Sequence, residues 1–418
     1  MDEKQKIEES HFLISCRQFM IGLSLTGCYP WSIPRNWDKR PRFVIWPIII
    51  MLFVLLLNVV MAVYLLYHYL QAITRANDKL DVTLHMLSNV QYLFVAFLAL
   101  PLNAYTNRHL YDCVVALDRI LLPSTYPRII QIKKHILGQA SLLIAAVVVM
   151  YYLKIYPAIG LYDTLFGIKI PGAPWMFFMQ FILTNAMFSR LASVCAFCFL
   201  GLTSAVQFRA CYQQIKEHVD VELTDLSSIN TALHRHLELS RIHAHLDTVF
   251  APATLFYCTT DVTILIFLLN FVLNFKMDTA LGLYSMDRVE HRFISLIGGI
   301  GSVMLLLIKV GVSCYLHDQA HSVVPILYRL LHRMENSAVE QEERSKTKGW
   351  RALCTLTVQR LRDFPIEFSG WGLFTLDKQL IATIVGLSVS YLLVMSEMGK
   401  KDATICNCTA IACARTSG

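Results

Sequence analysis

Seven stretches of about 20 or more predominantly apolar residues, the length of helix that crosses the hydrocarbon core of a bilayer, limit what this chain can fold into. They are Phe43–Leu70, Thr83–Tyr105, Ile136–Tyr156, Met176–Ala205, Val249–Phe275, Phe293–Tyr315 and Leu376–Met398. No single water-facing core buries that much. The 418 residues are 55% hydrophobic and 16% charged, against about 25% charged in soluble domains. The chain reads as an all-α membrane protein with seven transmembrane helices, of which the first and fifth are long enough to tilt or to project beyond the bilayer.

The N-terminus carries Asp2, Glu3, Lys4, Lys6, Glu8 and Glu9 and no short apolar run ending in a small-residue cleavage site. The first span is therefore expected to act as the insertion signal. Arg35, Lys39, Arg40 and Arg42 flank that span, and Arg108, Arg119, Arg128, Lys133 and Lys134 lie in the same alternating set of segments. The opposite set holds far fewer basic residues, such as Arg75, Lys79, Lys154 and Lys169. The positive-inside rule then puts the N-terminus in the cytosol and the C-terminus outside, which suits the glycosylation sequon Asn407-Cys408-Thr409. The net charge of +7 is met by basic flanks attracted to anionic lipid and calls for no nucleic acid. Twelve cysteines contain no CxxC pair at zinc-ribbon spacing, so neither a metal nor another cofactor is expected. Oxidation is expected only in the outer tail, at Cys406, Cys408 and Cys413.

Five regions follow: a cytosolic N-terminal segment with a short amphipathic helix (1–42), six spans with cytosolic helical extensions (43–315), cytosolic anchor helices and a hinge (316–375), the last span (376–398) and an extracellular tail (399–418). In 207–248, Phe208, Cys211, Tyr212, Ile215, Val219, Leu233, Leu237, Leu239, Ile242 and Leu246 recur at helical intervals among charges, so the fourth and fifth spans are expected to continue as helices into the cytosol. His234, His236, His243 and His245 invite a metal, but spacing by two residues turns helical side chains to different sides, which favours solvated or packed histidines. Gly298-Gly299-Ile300-Gly301 lacks a preceding strand and reads as close helix packing rather than a phosphate loop. Trp350–Leu361 forms an amphipathic helix with Arg351, Arg360 and Arg362, and Asp363-Phe364-Pro365 breaks it, since proline lacks an N–H and restricts its predecessor. Gly370-Trp371-Gly372 allows a second bend, with Thr375 expected to cap the last helix. The last helix is thus split into a cytosolic half-helix and a membrane half.

In the last span, steps of three and four residues align Thr383, Gly386, Ser390, the Leu393/Val394 pair and Glu397 on one face. A carboxylate there is costly unless it faces water, a partner or the headgroups. Spacing alone leaves two readings open: a pore-lining stripe, or the small-residue face by which membrane helices approach each other.

The segment Phe368-Ser369-Gly370-Trp371-Gly372-Leu373-Phe374-Thr375-Leu376-Asp377-Lys378, with Ser390-Tyr391 and Glu397-Met398 at the end of the last helix, resembles the C-terminal signature of the insect gustatory receptors. In that family a Thr-Tyr pair is followed by five apolar residues and Gln-Phe. Ser390 here stands for the threonine, Tyr391 is retained, and Glu397-Met398 replace Gln-Phe. The run Phe19–Trp31, closing on Tyr29-Pro30-Trp31, resembles the family's N-terminal short helix. The resemblance implies a chemosensory receptor that is itself a ligand-gated, non-selective cation channel and not an enzyme. It further implies a homotetramer, or a heteromer with related receptors, in the plasma membrane of sensory neuron dendrites, with the last helices lining one cation pore and each subunit's ligand pocket among spans two to six. Thr383, Gly386, Ser390, Val394, Glu397 and Met398 then map onto the pore and gate.

Buried polar and aromatic residues outline a candidate site for a small-molecule tastant: Tyr152, Phe178, Gln180, Asn185, Arg190, Tyr257 and Asp261. Arg190 and Asp261 both fall near the bilayer midplane, as an ion pair between neighbouring helices or as ligand contacts. Tyr151, Tyr156 and Trp175 read instead as an interfacial aromatic belt. Lys309, nearer the inner end of its span, is expected to snorkel. Among alternatives, an odorant receptor subunit shares the fold. A G-protein-coupled receptor has the opposite topology, and its Asn-Pro-x-x-Tyr pattern is absent from the last span. A transporter is expected to show matching broken spans in two halves.

Overall fold

The computed structural model describes residues 10–33, 37, 42–75, 97–98, 101–155, 162–165, 168–220, 226–273, 288–336, 343–391 and 393–394. Its helices are α1 (His11–Leu25), α2 (Ile45–Arg75), α3 (101–106), α4 (Leu110–Ile120), α5 (Tyr126–Ile155), α6 (Gly172–Asp220), α7 (Leu226–Leu273), α8 (Arg288–His321), α9 (Val324–Asn336), α10 (Glu343–Asp363) and α11 (378–391). A two-stranded antiparallel hairpin, β1 (Tyr162–Leu165) and β2 (Ile168–Pro171), is the one addition to the expected helical architecture among these residues. It lies in the 157–175 loop, and α6 begins directly after it.

The N-terminal helix is fixed at both ends by local chemistry. Ser10 accepts the Leu13 N–H at 3.1 Å and donates its own proton to Asp118 Oδ1 at 2.5 Å, so one hydroxyl caps α1 and ties it to α4. At the other end the Cys28 N–H reaches the Leu23 carbonyl and the Gly27 N–H the Ser24 carbonyl, with Gly27 at φ 78°. That closure requires a left-handed residue, which glycine supplies without a side-chain clash. Between these caps Phe12 and Phe19 stack on Phe199 of α6, at ring distances of 5.9 and 4.7 Å.

α6 has 49 residues and α7 has 48, more than twice the length that crosses a bilayer at 1.5 Å per residue. Both run unbroken through the predicted span ends at 205 and 249, as the apolar periodicity of 207–248 requires. Three described helices are long and apolar enough to cross a membrane, Phe188–Val219, Ser227–Ile266 and Ile300–Arg333, with the shorter apolar Ile45–Val60 in α2. α2 exposes Trp46, Ile49, Phe53, Leu56 and Val60 and buries Val54, Leu57 and Asn58. Such a wide exposed apolar face suits lipid rather than water.

The main core is shared by α1, α2 and α4 through α11. Buried Gln207 of α6 accepts the Leu122 N–H and donates to Thr125 Oγ1, holding the turn between α4 and α5. Arg333 donates to the Val219 carbonyl at 2.6 Å and satisfies the end of α6. Two of the four paired histidines are packing groups. His236 donates through Nε2 to the Ala320 carbonyl and His243 to the Glu367 carbonyl, both at 3.0 Å. Among the described residues no group of three or more His, Cys, Asp or Glu could hold a metal.

Candidate functional site

Two places gather the predicted residues. The first is built on the facing sides of α6, α7 and α8. Asp261, Cys258 and Tyr257 share one face of α7 by helical spacing, and Arg190 of α6 and Lys309 of α8 converge on it. Arg190 Nη2 pairs with Asp261 Oδ1, Arg190 Nη1 donates to Ser302 Oγ at 3.4 Å, and Lys309 Nζ lies 3.3 Å from Asp261 Oδ2. The Asp261 side chain is 0% exposed and that of Lys309 2%. Tyr257 sits below both cations, its ring centroid 5.9 Å from Arg190 Cζ and 5.7 Å from Lys309 Nζ, and its hydroxyl accepts from Asn103 Nδ2 at 3.0 Å.

The expected proximity of Arg190 and Asp261 is thus realised as a direct ion pair. Lys309 departs from expectation: it turns inward to share the same carboxylate rather than snorkelling to the interface. The physical reason is that Asp261 has two oxygens, and Coulomb attraction in a medium of low dielectric outweighs the reach for water. A count of charges within the spans carries the signal, since the first six contain one acidic residue, Asp261, against Lys154, Arg190 and Lys309. Asn103 and Ser302 carried no sequence signal, because a lone amide or hydroxyl in an apolar run is common. Tyr152, Phe178, Gln180 and Asn185 lie on helical backbone in α5 and α6, and their side chains are outside the described residues.

The second place is the junction of α10 with α11. α10 ends at Asp363, before Pro365, as the sequence requires. Residues 368–376 then close a tight turn, with Leu376 N–H on the Phe368 carbonyl and Gly370 N–H on the Phe374 carbonyl. Trp371 and Gly372 take φ of 54° and 73°, and a side chain at Gly370 would enter the Phe374 ring. α11 is capped by Asp377, whose Oδ1 accepts the Leu380 N–H at 2.8 Å, while Thr375 donates to Asp377 Oδ2 at 3.3 Å. The cap falls two residues later than expected, because the Ser369–Thr375 bridge holds Thr375 in the turn.

This turn is strapped to the bundle. Asp247 of α7 accepts the N–H and the hydroxyl of Ser369 at 2.7 and 2.8 Å. Burial nevertheless raises the Asp247 pKa above the usual carboxylate range, against the lowering effect of those bonds. Ser313 of α8 accepts the Phe368 N–H, His317 pairs with Glu367 at 3.0 Å, and the Phe368 ring fills a box of Phe197, His243 and Phe250.

In α11, Ile384 and Ser388 are 5% and 2% exposed, whereas Thr383, Gly386, Ser390 and Val394 are all exposed. The predicted stripe therefore points away from its own chain, in company with Val385, Leu387 and Val389. Glu397 and Met398 lie outside the described residues.

A helical bundle with an outward apolar face, membrane-length helices and a buried charge cluster between them is the architecture of a membrane protein. Residues 20–396 match the family profile described as 7tm Chemosensory receptor, and the chain belongs to that family, which comprises insect gustatory and odorant receptors. Its members are receptors, not enzymes. The fold is similar to that of the insect olfactory receptor OR5 from Machilis hrabei in complex with eugenol, with a TM-score of 0.66 at 12% identity over 93% of this chain and 99% of that one. A second structure of OR5 gives 0.63 at 13% identity, over 91% and 96%. No curated protein matches the chain by sequence.

Proposed function

We propose that this chain is a subunit of a chemosensory ligand-gated, non-selective cation channel, a homotetramer or a heteromer with related receptors, in which the last helix of each subunit lines one pore. A small molecule bound among spans two to six opens it. The observation that carries this reading is the one-sided burial of α11: Ile384 and Ser388 pack on the chain's own bundle, while the Thr383, Gly386, Ser390, Val394 stripe stays exposed. A helix facing only lipid has no use for hydroxyl and glycine positions on its outer side. One that meets symmetry mates around an aqueous path does.

The same proposal includes seven spans, a cytosolic N-terminus and an extracellular C-terminus, the five-region division of the chain, and residence in the plasma membrane of sensory dendrites. Within it Glu397 and Met398 take the gate positions, and Tyr152, Phe178, Gln180, Asn185, Arg190, Tyr257 and Asp261 are the ligand-site candidates. A gustatory assignment is supported by the Phe368–Lys378 turn and by Ser390-Tyr391. The test is a ligand-evoked current in cells expressing the chain alone or with a related receptor. Glu397→Gln is expected to lower calcium permeability relative to sodium, because a ring of carboxylates becomes a ring of amides; unchanged permeability ratios would contradict the assignment of Glu397 to the conduit.

A further inference from the structure

Among the described residues, the cluster between α6, α7 and α8 sets two cations against one carboxylate. Arg190 and Lys309 each take one oxygen of Asp261, and Asp261 is the only acidic residue in the first six predicted spans. An ammonium has three N–H donors and no acceptor capacity. Among the described residues the hydrogen-bond partners of Lys309 Nζ are Asp261 Oδ2 at 3.3 Å and the weakly accepting thiol Cys258 Sγ at 3.8 Å. A buried cation in that position is costly until a further anion reaches it. Beside the cations lie the Tyr257 ring and a small apolar group of Ala253, Tyr257 and Phe256, separate from the main core.

We propose that the Arg190–Asp261–Lys309 cluster binds the acid group of a small amphiphilic monocarboxylate, whose oxygen accepts from Lys309 Nζ while its hydrocarbon part packs against the Tyr257 and Phe256 side. The inference deepens the channel reading, on which it rests for its gating consequence but not for binding. It names the ligand class as an organic anion rather than a neutral odorant or a sugar. Bound there, the carboxylate gives Lys309 a second anionic partner, so that it stabilises one relative arrangement of α6, α7 and α8.

The probes are sodium octanoate and its methyl ester, applied to the full chain purified in phosphatidylcholine nanodiscs and to cells expressing it. Octanoate is expected to raise the thermal unfolding midpoint and the ester to leave it unchanged. Lys309→Gln is expected to weaken octanoate binding at least about tenfold, the scale on which a buried charge partner acts, and Lys309→Arg to retain it. Retention in Lys309→Arg separates loss of the charge from loss of the fold. Octanoate stabilisation without any evoked current supports the site and counts against the channel reading. Equal effects of acid and ester, no effect of octanoate, or an undiminished effect in a folded Lys309→Gln would each overturn the proposal. So would an octanoate effect abolished by phosphatidylglycerol in the nanodisc, which would assign the cluster to a lipid headgroup instead.

Discussion

Gly201 shows how little room separates α6 from its neighbours. A Cβ at that position would stand 2.8 Å from Val312 Cγ1 and 3.2 Å from Phe368 Cε2. Neither atom yields cheaply: valine is stiff at χ1, and the Phe368 ring is held by Phe197, His243 and Phe250. Gly201→Ala is therefore expected to destabilise the purified protein by about 1–3 kcal/mol, the cost of overpacking, read as a lower unfolding midpoint. Gly311→Ala, on α8 with nothing within 4 Å of the added carbon, is the control and is expected to unfold no lower than the parent, since alanine favours a helix interior over glycine. At this scale the sequence was partly silent. Nothing in a glycine within an apolar run announces that a ring from the turn before α11 fills its place, and the position of Lys309 along α8 says nothing of the carboxylate facing it from α7.

The long helices α7 and α8 and the turn between α10 and α11 meet at histidines whose chemistry sets a pH response. His236 and His243, ahead of the predicted fifth span at Val249, each donate Nε2–H to a carbonyl, and neither Nδ1 has a hydrogen-bond partner among the described residues. Burial lowers both pKa values from 6.5 to about 4, only partly opposed by those bonds. Unfolded, the two rings take up protons near pH 6.5 that the folded chain refuses until about pH 4. Their contribution to stability is therefore complete above about pH 6.5 and is lost as the pH falls toward 4. Unfolding midpoints measured at pH 7.5 and 5.5 are expected to drop more for the parent than for His236→Gln/His243→Gln, and equal drops would refute the assignment. Elements were the legible scale. Helix periodicity gave the continuous α6 and α7, and Pro365 gave the end of α10. The hairpin of β1 and β2 and the Asp377 cap escaped, because a four-residue strand in a loop has little periodicity and a Ser369–Thr375 bridge depends on contacts distant in sequence.

Across the whole molecule, the long-range ties run through one junction. α7 and α8 carry the charge cluster at one level and, further along, Asp247, Ser313 and His317, which hold the turn before α11. Under the proposed function, a shift of these helices on ligand binding would reach the last helix through Ser369 and Phe368. The class of protein was visible in the seven apolar runs and the C-terminal turn, whereas the assembly is not encoded in any periodicity, since a pore stripe and a packing stripe use the same small residues. The measurement that separates them is cysteine accessibility at two positions two residues apart on α11. With a membrane-impermeant thiol reagent applied during ligand-evoked current, Ser390→Cys is expected to be blocked, because Ser390 is exposed on the stripe, and Ser388→Cys to be spared, because Ser388 packs against its own chain. Block at Ser388→Cys with Ser390→Cys unaffected would contradict the claim that this face of the last helix lines the pore.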